Sequence, residues 1–208
     1  MHWHNRYRCT THERIKDILS FMSARITHGV LMFKKSYTTN VFLFLTGWII
    51  CLSTSLSEFS SAITLATTIT ILLIHIKFIG NWDKEKEILL ISLLLGSAID
   101  SFAGNLGILE FSTTNRLLPL WMACIWALAG TTIRHSLLLC LKRRWLTPLT
   151  GFLFSLIHYF LLNRISDVAL SSPAWLSLLV MAIIWSIITP VLLAFSSVWQ
   201  ERYKRNKL

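Results

Sequence analysis

Cysteine is scarce in this chain, and the four present, at positions 9, 51, 124 and 140, fall at no ligand spacing. Without a C-x-x-C or comparable pair, neither a disulfide framework nor a cysteine metal site is expected. Cys51, Cys124 and Cys140 read as small apolar residues inside hydrophobic runs. His2 and His4 form a lone H-x-H pair near Cys9; such short terminal pairs are commonly solvated, so no metal and no cofactor is expected. Acidic residues are few as well, 10 Asp and Glu against 20 Lys and Arg. No stretch between the hydrophobic runs is long enough for a soluble domain, which excludes a separate catalytic domain and argues against nucleic-acid binding. There is no internal repeat of the kind that builds the paired halves of many secondary transporters. An A-x-A-like cleavage site after the first run is also missing, so no signal peptide removal is expected.

Long apolar runs are what the chain has. They cover Val41 to Leu56, Ser60 to Ile79, Ile88 to Gly107, Leu117 to Leu141, Leu146 to Leu162 and Trp175 to Trp199, mostly near the ~20 residues a helix needs to cross a bilayer. The expected fold is therefore all-α, an integral membrane bundle of six transmembrane helices with short connections. Lys34 and Lys35 precede the first run; Lys77, Lys84 and Lys86 lie between the second and third, and Lys142, Arg143 and Arg144 between the fourth and fifth. Arg202, Lys204, Arg205 and Lys207 follow the last, whereas the intervening loops hold only Arg116 and Arg164 beside Glu58, Glu110 and Asp167. Positive charge marks the cytoplasmic side, so both termini are expected inside. The same basic loops would attract anionic lipid headgroups. Residues 1–40 form a basic cytoplasmic arm, 41–199 the membrane domain and 200–208 a basic tail.

The arm supports two readings. Met32, followed by Phe33, Lys34, Lys35 and the first apolar run, resembles the start of a multi-span protein, which would make residues 1–31 an upstream extension. Alternatively, Thr10 with Glu13 has the capping-box spacing, and Ile15, Ile18, Leu19, Met22 and Ile26 form a helical stripe flanked by Arg14, Lys16 and Arg25. That pattern suits a helix lying on the inner membrane surface. The alternation Asp-Lys-Glu-Lys-Glu over Asp83 to Glu87 reads as a solvated helix start or turn. Pro190 inside the last run predicts a kink that frees the Ser186 carbonyl, with the Ser186 and Thr189 hydroxyls available to cover the backbone.

Polar residues within the spans are the route from sequence to function, because an Asp at the centre of a span costs ~2.5 to 3.5 kcal/mol on insertion scales. Asp100 shares a helix face with Gly96 and Gly104, where glycines permit close helix approach. It reads either as an interhelical hydrogen bond that locks the bundle or as a substrate or proton site. His158 lies as far along the fifth run as Asp100 along the third, ~18 Å from the cytoplasmic end, making it the leading partner, with Tyr159 and Asn105 nearby. A second layer nearer the cytoplasm holds Arg134 and His135, with Thr131, Thr132 and His75. Arg134 either snorkels to the headgroups or joins an imidazole and two hydroxyls in a site for a phosphate or carboxylate. Trp3, Trp82, Trp121, Trp145, Trp175 and Trp199 mark interfaces; Trp48, Trp126 and Trp185 lie deeper, as packing.

The stretch Gly96-Ser-Ala-Ile-Asp100-Ser-Phe-Ala-Gly104-Asn-Leu-Gly107-Ile-Leu-Glu-Phe111, then Leu118-Pro119-Leu120-Trp121 and Thr131-Thr132-Ile-Arg134-His135-Ser136-Leu137, resembles a bacterial inner-membrane family known as a domain of unknown function, numbered twenty-eight seventy-eight. The likeness runs from Phe44-Leu-Thr-Gly47-Trp48 to Trp185 and Pro190. It implies a bacterial cytoplasmic membrane and a small multi-span fold, and brings no established activity, cofactor or catalytic residue. The family pattern has Asn before the His where this chain carries Arg134.

Three roles follow: binding or transport of a small anionic or lipid-like molecule through Asp100, Arg134, His135 and His158; a membrane enzyme or accessory subunit acting on lipid, with His135 or His158 and Asp100 as acid and base; or a structural partner subunit, in a homo-oligomer or with another membrane protein. Convergence of the polar groups on one site favours the first two, and pairing in separate seams the third. The loop charges make the orientation testable. Single cysteines placed near Lys84 should resist an impermeant thiol reagent applied from outside, whereas cysteines near Glu58 or Asp167 should react; labelling near Lys84 would reverse the orientation.

Overall fold

The computed structural model describes residues 37–112, 118–135, 143 and 145–205. The chain divides into two units, residues 1–39 and 40–208. The expectations about residues 1–36, the His2/His4 pair and the amphipathic stripe among them, lie outside the described residues, as do Arg116, Lys142, Arg144, Lys207 and the end of the fourth run.

The described residues are mostly helical. Six helices appear: α1 Tyr37–Ser53, α2 Ser60–Phe78, α3 Trp82–Asn105, α4 Leu120–His135, α5 Leu146–Ile165 and α6 Ala174–Arg205. By length and composition, four of these can cross a membrane, namely α2, α3, α5 and the Ala174–Tyr203 part of α6, and α1 is a shorter apolar helix. Phe42, Ile49, Leu73, Leu94, Phe102, Ile157 and Ile187 all point outward. A helix surface that displays this much hydrocarbon suits lipid as its solvent.

The core lies between the helices. Trp48, Trp126 and Trp185 are buried there with Met122, Ile125, Leu128, Tyr159, Leu162 and Met181. The Trp126 and Trp185 rings stack at 4.1 Å between centroids. Trp121, expected at an interface, is 3% exposed, and its indole N–H donates to Asp167 at 3.1 Å. Trp82, Trp145 and Trp175 are exposed, as interface residues should be.

A short strand pair adds to the expected architecture. β1 Leu109–Phe111 and β2 Val168–Leu170 are antiparallel, with Leu109 opposite Leu170, Glu110 opposite Ala169 and Phe111 opposite Val168. Alternation turns Leu109, Val168 and Leu170 inward. The pairing joins the loop after α3 to the loop after α5, so these two connections lie at the same end of the bundle. At the other end Lys84, in the first turn of α3, places its ammonium 5.6 Å from the Tyr203 ring near the end of α6.

In α6 the Thr189 hydroxyl, beside Pro190, donates to the Trp185 carbonyl at 2.7 Å rather than turning to Ser186. Gly151 of α5 faces this segment. A Cβ there would stand 2.3 Å from Thr189 Oγ1 and 2.4 Å from the Trp185 carbonyl oxygen, so the close approach of α5 and α6 depends on a hydrogen at that position. Gly151→Leu should force the helices apart and cost about 1 to 3 kcal/mol. Unfolding of the detergent-solubilised protein measures this; an unchanged midpoint would mean that α6 gives way without loss.

Candidate functional site

Two polar clusters are built on α3, at different depths. Glu85 anchors the first. It sits in the opening turn of α3, where unpaired backbone N–H groups favour a negative charge, and one of its oxygens accepts the Asn81 N–H at 3.2 Å. The other approaches Nε2 of His75 at 2.7 Å. His75 lies in the last turn of α2, where carbonyl groups favour positive charge. His135 of α4 brings its Nε2 to 3.0 Å from Glu85 Oε1, and the two imidazoles meet edge to face at 5.1 Å. Arg134 donates to the Lys84 carbonyl at 2.9 Å and lies 3.9 Å from Glu85 Oε1.

Asn40 of α1 completes this cluster. Its amide N–H donates to the Thr131 carbonyl at 3.1 Å, and its amide oxygen faces His75 Nδ1 at 2.9 Å. Because a carbonyl such as that of Thr131 can only accept, the Asn40 amide is fixed in this orientation, and His75 Nδ1 must carry a proton. Three helices therefore meet at one carboxylate, and Asn40 ties the fourth, α1, to it through His75. His75 is fully buried and Glu85 3% exposed, while the side chains of Arg134 and His135 keep 16% and 19% of their surface. Gly80 forms one flank: a Cβ there would stand 2.5 Å from Glu85 Oε2 and 2.7 Å from His75 Nε2.

Asp100 anchors the second cluster, fifteen residues and thus ~22 Å further along α3. Its carboxylate accepts the Trp126 indole N–H at 2.6 Å and a short hydrogen bond from the Tyr159 hydroxyl. The Trp185 indole in turn donates to the Tyr159 oxygen at 3.0 Å. Gly96 makes this possible, since a Cβ would fall 2.3 Å from the Trp126 ring. The expected pairing of Asp100 with His158 is replaced: His158 Nδ1 accepts the Trp48 indole N–H at 3.0 Å. An indole is only a donor, so Nδ1 is unprotonated and Nε2 carries the ring hydrogen. That nitrogen is buried with no hydrogen-bond partner among the described residues.

Of the four residues singled out from the sequence, Arg134 and His135 thus share one cluster, whereas Asp100 bonds to Trp126 and Tyr159 in a second, and His158, whose ring packs against the same two side chains, bonds to Trp48 instead. Thr131 and Thr132 direct their hydroxyls to the carbonyls of Leu128 and Ala129 in their own helix, which removes two donors from the expected anion site. Asn105 is exposed at the end of α3. Glu85 was missed. Within the solvated Asp83 to Glu87 alternation it alone is buried, and it is in helical phase with Leu89, Gly96 and Asp100, the signal that separates it from its neighbours. Asn40 carried no comparable signal.

Residues 37–191 match the model of a family described as "Protein of unknown function (DUF2878)". No curated protein and no solved structure matches the chain.

The two clusters make different predictions for mutant cycles. Asp100→Ala and Tyr159→Phe should show a coupling energy of roughly 0.6 to 1.7 kcal/mol, the range for hydrogen bonds between membrane helices. Asp100→Ala and His158→Ala should couple more weakly. A larger coupling to His158 than to Tyr159, measured by unfolding in detergent, would contradict the hydrogen-bond assignment.

Proposed function

The chain belongs to this family of unknown function, and for it we propose an inner-membrane protein of six spans, with both termini in the cytoplasm, that binds a small anionic or lipid-like molecule at its cytoplasmic rim. The contacting groups are Arg134 and His135. Several features support the topology. Asn40 at the start of α1, the turn between α2 and α3, and Tyr203 near the end of α6 all meet around the first turn of α3, which is the geometry of an even number of crossings. The basic residues Lys77, Lys84, Lys86 and Arg143 belong to that same set of connections, as a cytoplasmic end requires.

The observation that carries the ligand reading is the buried Glu85 carboxylate beneath two basic side chains that are mostly covered yet still reach the surface. Glu85 sets the positions of Arg134 and His135 while the surrounding lysines keep the rim positive. A guanidinium has five N–H donors arranged for phosphate or carboxylate; one meets the Lys84 carbonyl. At the membrane border a lipid headgroup arrives at the right depth for the remainder. The Asp100 cluster, enclosed by three aromatic side chains, serves as the lock between α3, α4, α5 and α6.

Ligand-induced stabilisation tests this reading. Short-chain phosphatidic acid should raise the unfolding midpoint of the detergent-solubilised protein more than a zwitterionic lipid of the same chain length. Arg134→Gln should weaken the effect about tenfold or more in apparent affinity, consistent with the ~1.5 to 3 kcal/mol of a hydrogen bond to a charged group. Equal stabilisation by the two lipids, or an unaltered response in Arg134→Gln, would overturn it.

A further inference from the structure

We propose that His75, Glu85 and His135 form a binding site for a divalent first-row transition metal ion of the zinc or cobalt class. One ligating atom from each residue lies within 4.8 Å of the others. Two imidazole nitrogens and a carboxylate are a ligand set that such ions accept, with metal–ligand distances of about 2.0 to 2.2 Å. Side-chain adjustments on the order of 1 Å bring these three atoms to that range.

The hydrogen-bond accounting around His75 points the same way. Asn40 fixes the proton on Nδ1, so the lone pair of the neutral ring lies on Nε2, aimed at Glu85 Oε2 at 2.7 Å. A lone pair and a carboxylate oxygen cannot share that contact unless a positive species stands between them. Either a proton occupies the position or a metal ion does. Histidine ligands to metals nearly always donate their other N–H to an oxygen acceptor, which fixes the ring and its tautomer. The Asn40 amide oxygen fills that role, and the amide is itself held by the Thr131 carbonyl. Gly80 packs directly against the pair, where a Cβ would stand 2.5 Å from Glu85 Oε2 and 2.7 Å from His75 Nε2, so only glycine leaves this contact room.

The remaining coordination position would face the rim, because His135 is the most exposed of the three ligands. An anion bound there would meet the metal on one side and Arg134 on the other. In this respect the metal site deepens the proposed anion site and rests on the same cluster being the working end, although metal binding itself needs no anion.

The experiment uses the full chain in detergent, stripped with a chelator and titrated with Co2+ in a buffer free of phosphate and anionic lipid. One equivalent of Co2+ should bind and produce the visible d–d absorption of a low-coordinate site, and Zn2+ should displace it. His135→Ala, at the rim and therefore least disruptive to folding, should reduce affinity at least 100-fold. Asn40→Ala, outside the ligand set, should reduce it about 10- to 100-fold, as outer partners of ligating histidines do. An absorption spectrum that stays that of hydrated Co2+, or an affinity unchanged in His135→Ala, would overturn the metal site and leave the proton as the bridging species. Arg134-dependent stabilisation by phosphatidic acid in the presence of chelator would then show the anion site standing without it. A Co2+ spectrum with no response to phosphatidic acid would show the reverse.

Discussion

Everything at one end of this molecule depends on where the charge of Glu85 goes. A carboxylate removed from water must be met by hydrogen-bond donors or positive charge, because the desolvation cost otherwise far exceeds what packing returns. The chain meets that requirement from several directions: the Asn81 backbone N–H, His75 from α2, His135 from α4 and, at longer range, Arg134. Asn40 adds α1 through His75. Helices that share only hydrocarbon contacts in a membrane have little to fix their rotation, since lipid tails are as apolar as Leu. A single acceptor that needs donors from separate helices fixes several rotations together.

The Asp100 cluster solves the same problem by different means. Here the donors are the Trp126 indole and the Tyr159 hydroxyl, the latter itself receiving the Trp185 indole. Indoles offer a proton without carrying a charge, so the aromatic side chains both fill the space around the carboxylate and satisfy it. The stacking of Trp126 on Trp185 holds the two indoles side by side. Such a network is closed, with every oxygen of Asp100 given a neutral donor. The first cluster, by contrast, is rich in groups that exchange protons and bind metals, and its outer members reach the surface.

Much of the fold was legible because long apolar runs have few alternatives once they exceed the length of a soluble core helix. The helices follow the runs closely, and the inward face of α3 was visible in the spacing of Gly96, Asp100 and Gly104. The strand pair was not, because three-residue strands offer too short a pattern to distinguish from loop. The partner of Asp100 was misjudged for a related reason. Depth can be counted along a helix, but rotation cannot, and Tyr159, next to His158 in sequence, faces the carboxylate that its neighbour does not reach. In the sequence Trp48, Trp126 and Trp185 read only as packing, although in a dry core an indole N–H must find an acceptor. Glu85 was hidden by its neighbours, since an alternating charge run suggests solvent on every side even when one member points inward.

The placement of the two clusters along α3 has a physical logic. A charge costs most at the centre of the bilayer and less toward its border, where side chains can reach headgroups and water. Helix ends add a further asymmetry: the start of α3 favours the carboxylate of Glu85, and the end of α2 favours a proton or cation on His75. The turn between them, Ile79 to Asn81, brings these opposite poles together, with the Ile79 and Gly80 N–H groups both closing on the His75 carbonyl. Two adjacent helix ends of opposite polarity therefore face each other across a buried contact, and a positive species held there interacts favourably with both the carboxylate and the α2 terminus. The same position in mid-span would lack both dipole ends and nearby water. The Glu85 cluster thus lies where two helix ends meet, while the interior of α3 carries an acid whose hydrogen bonds are all internal.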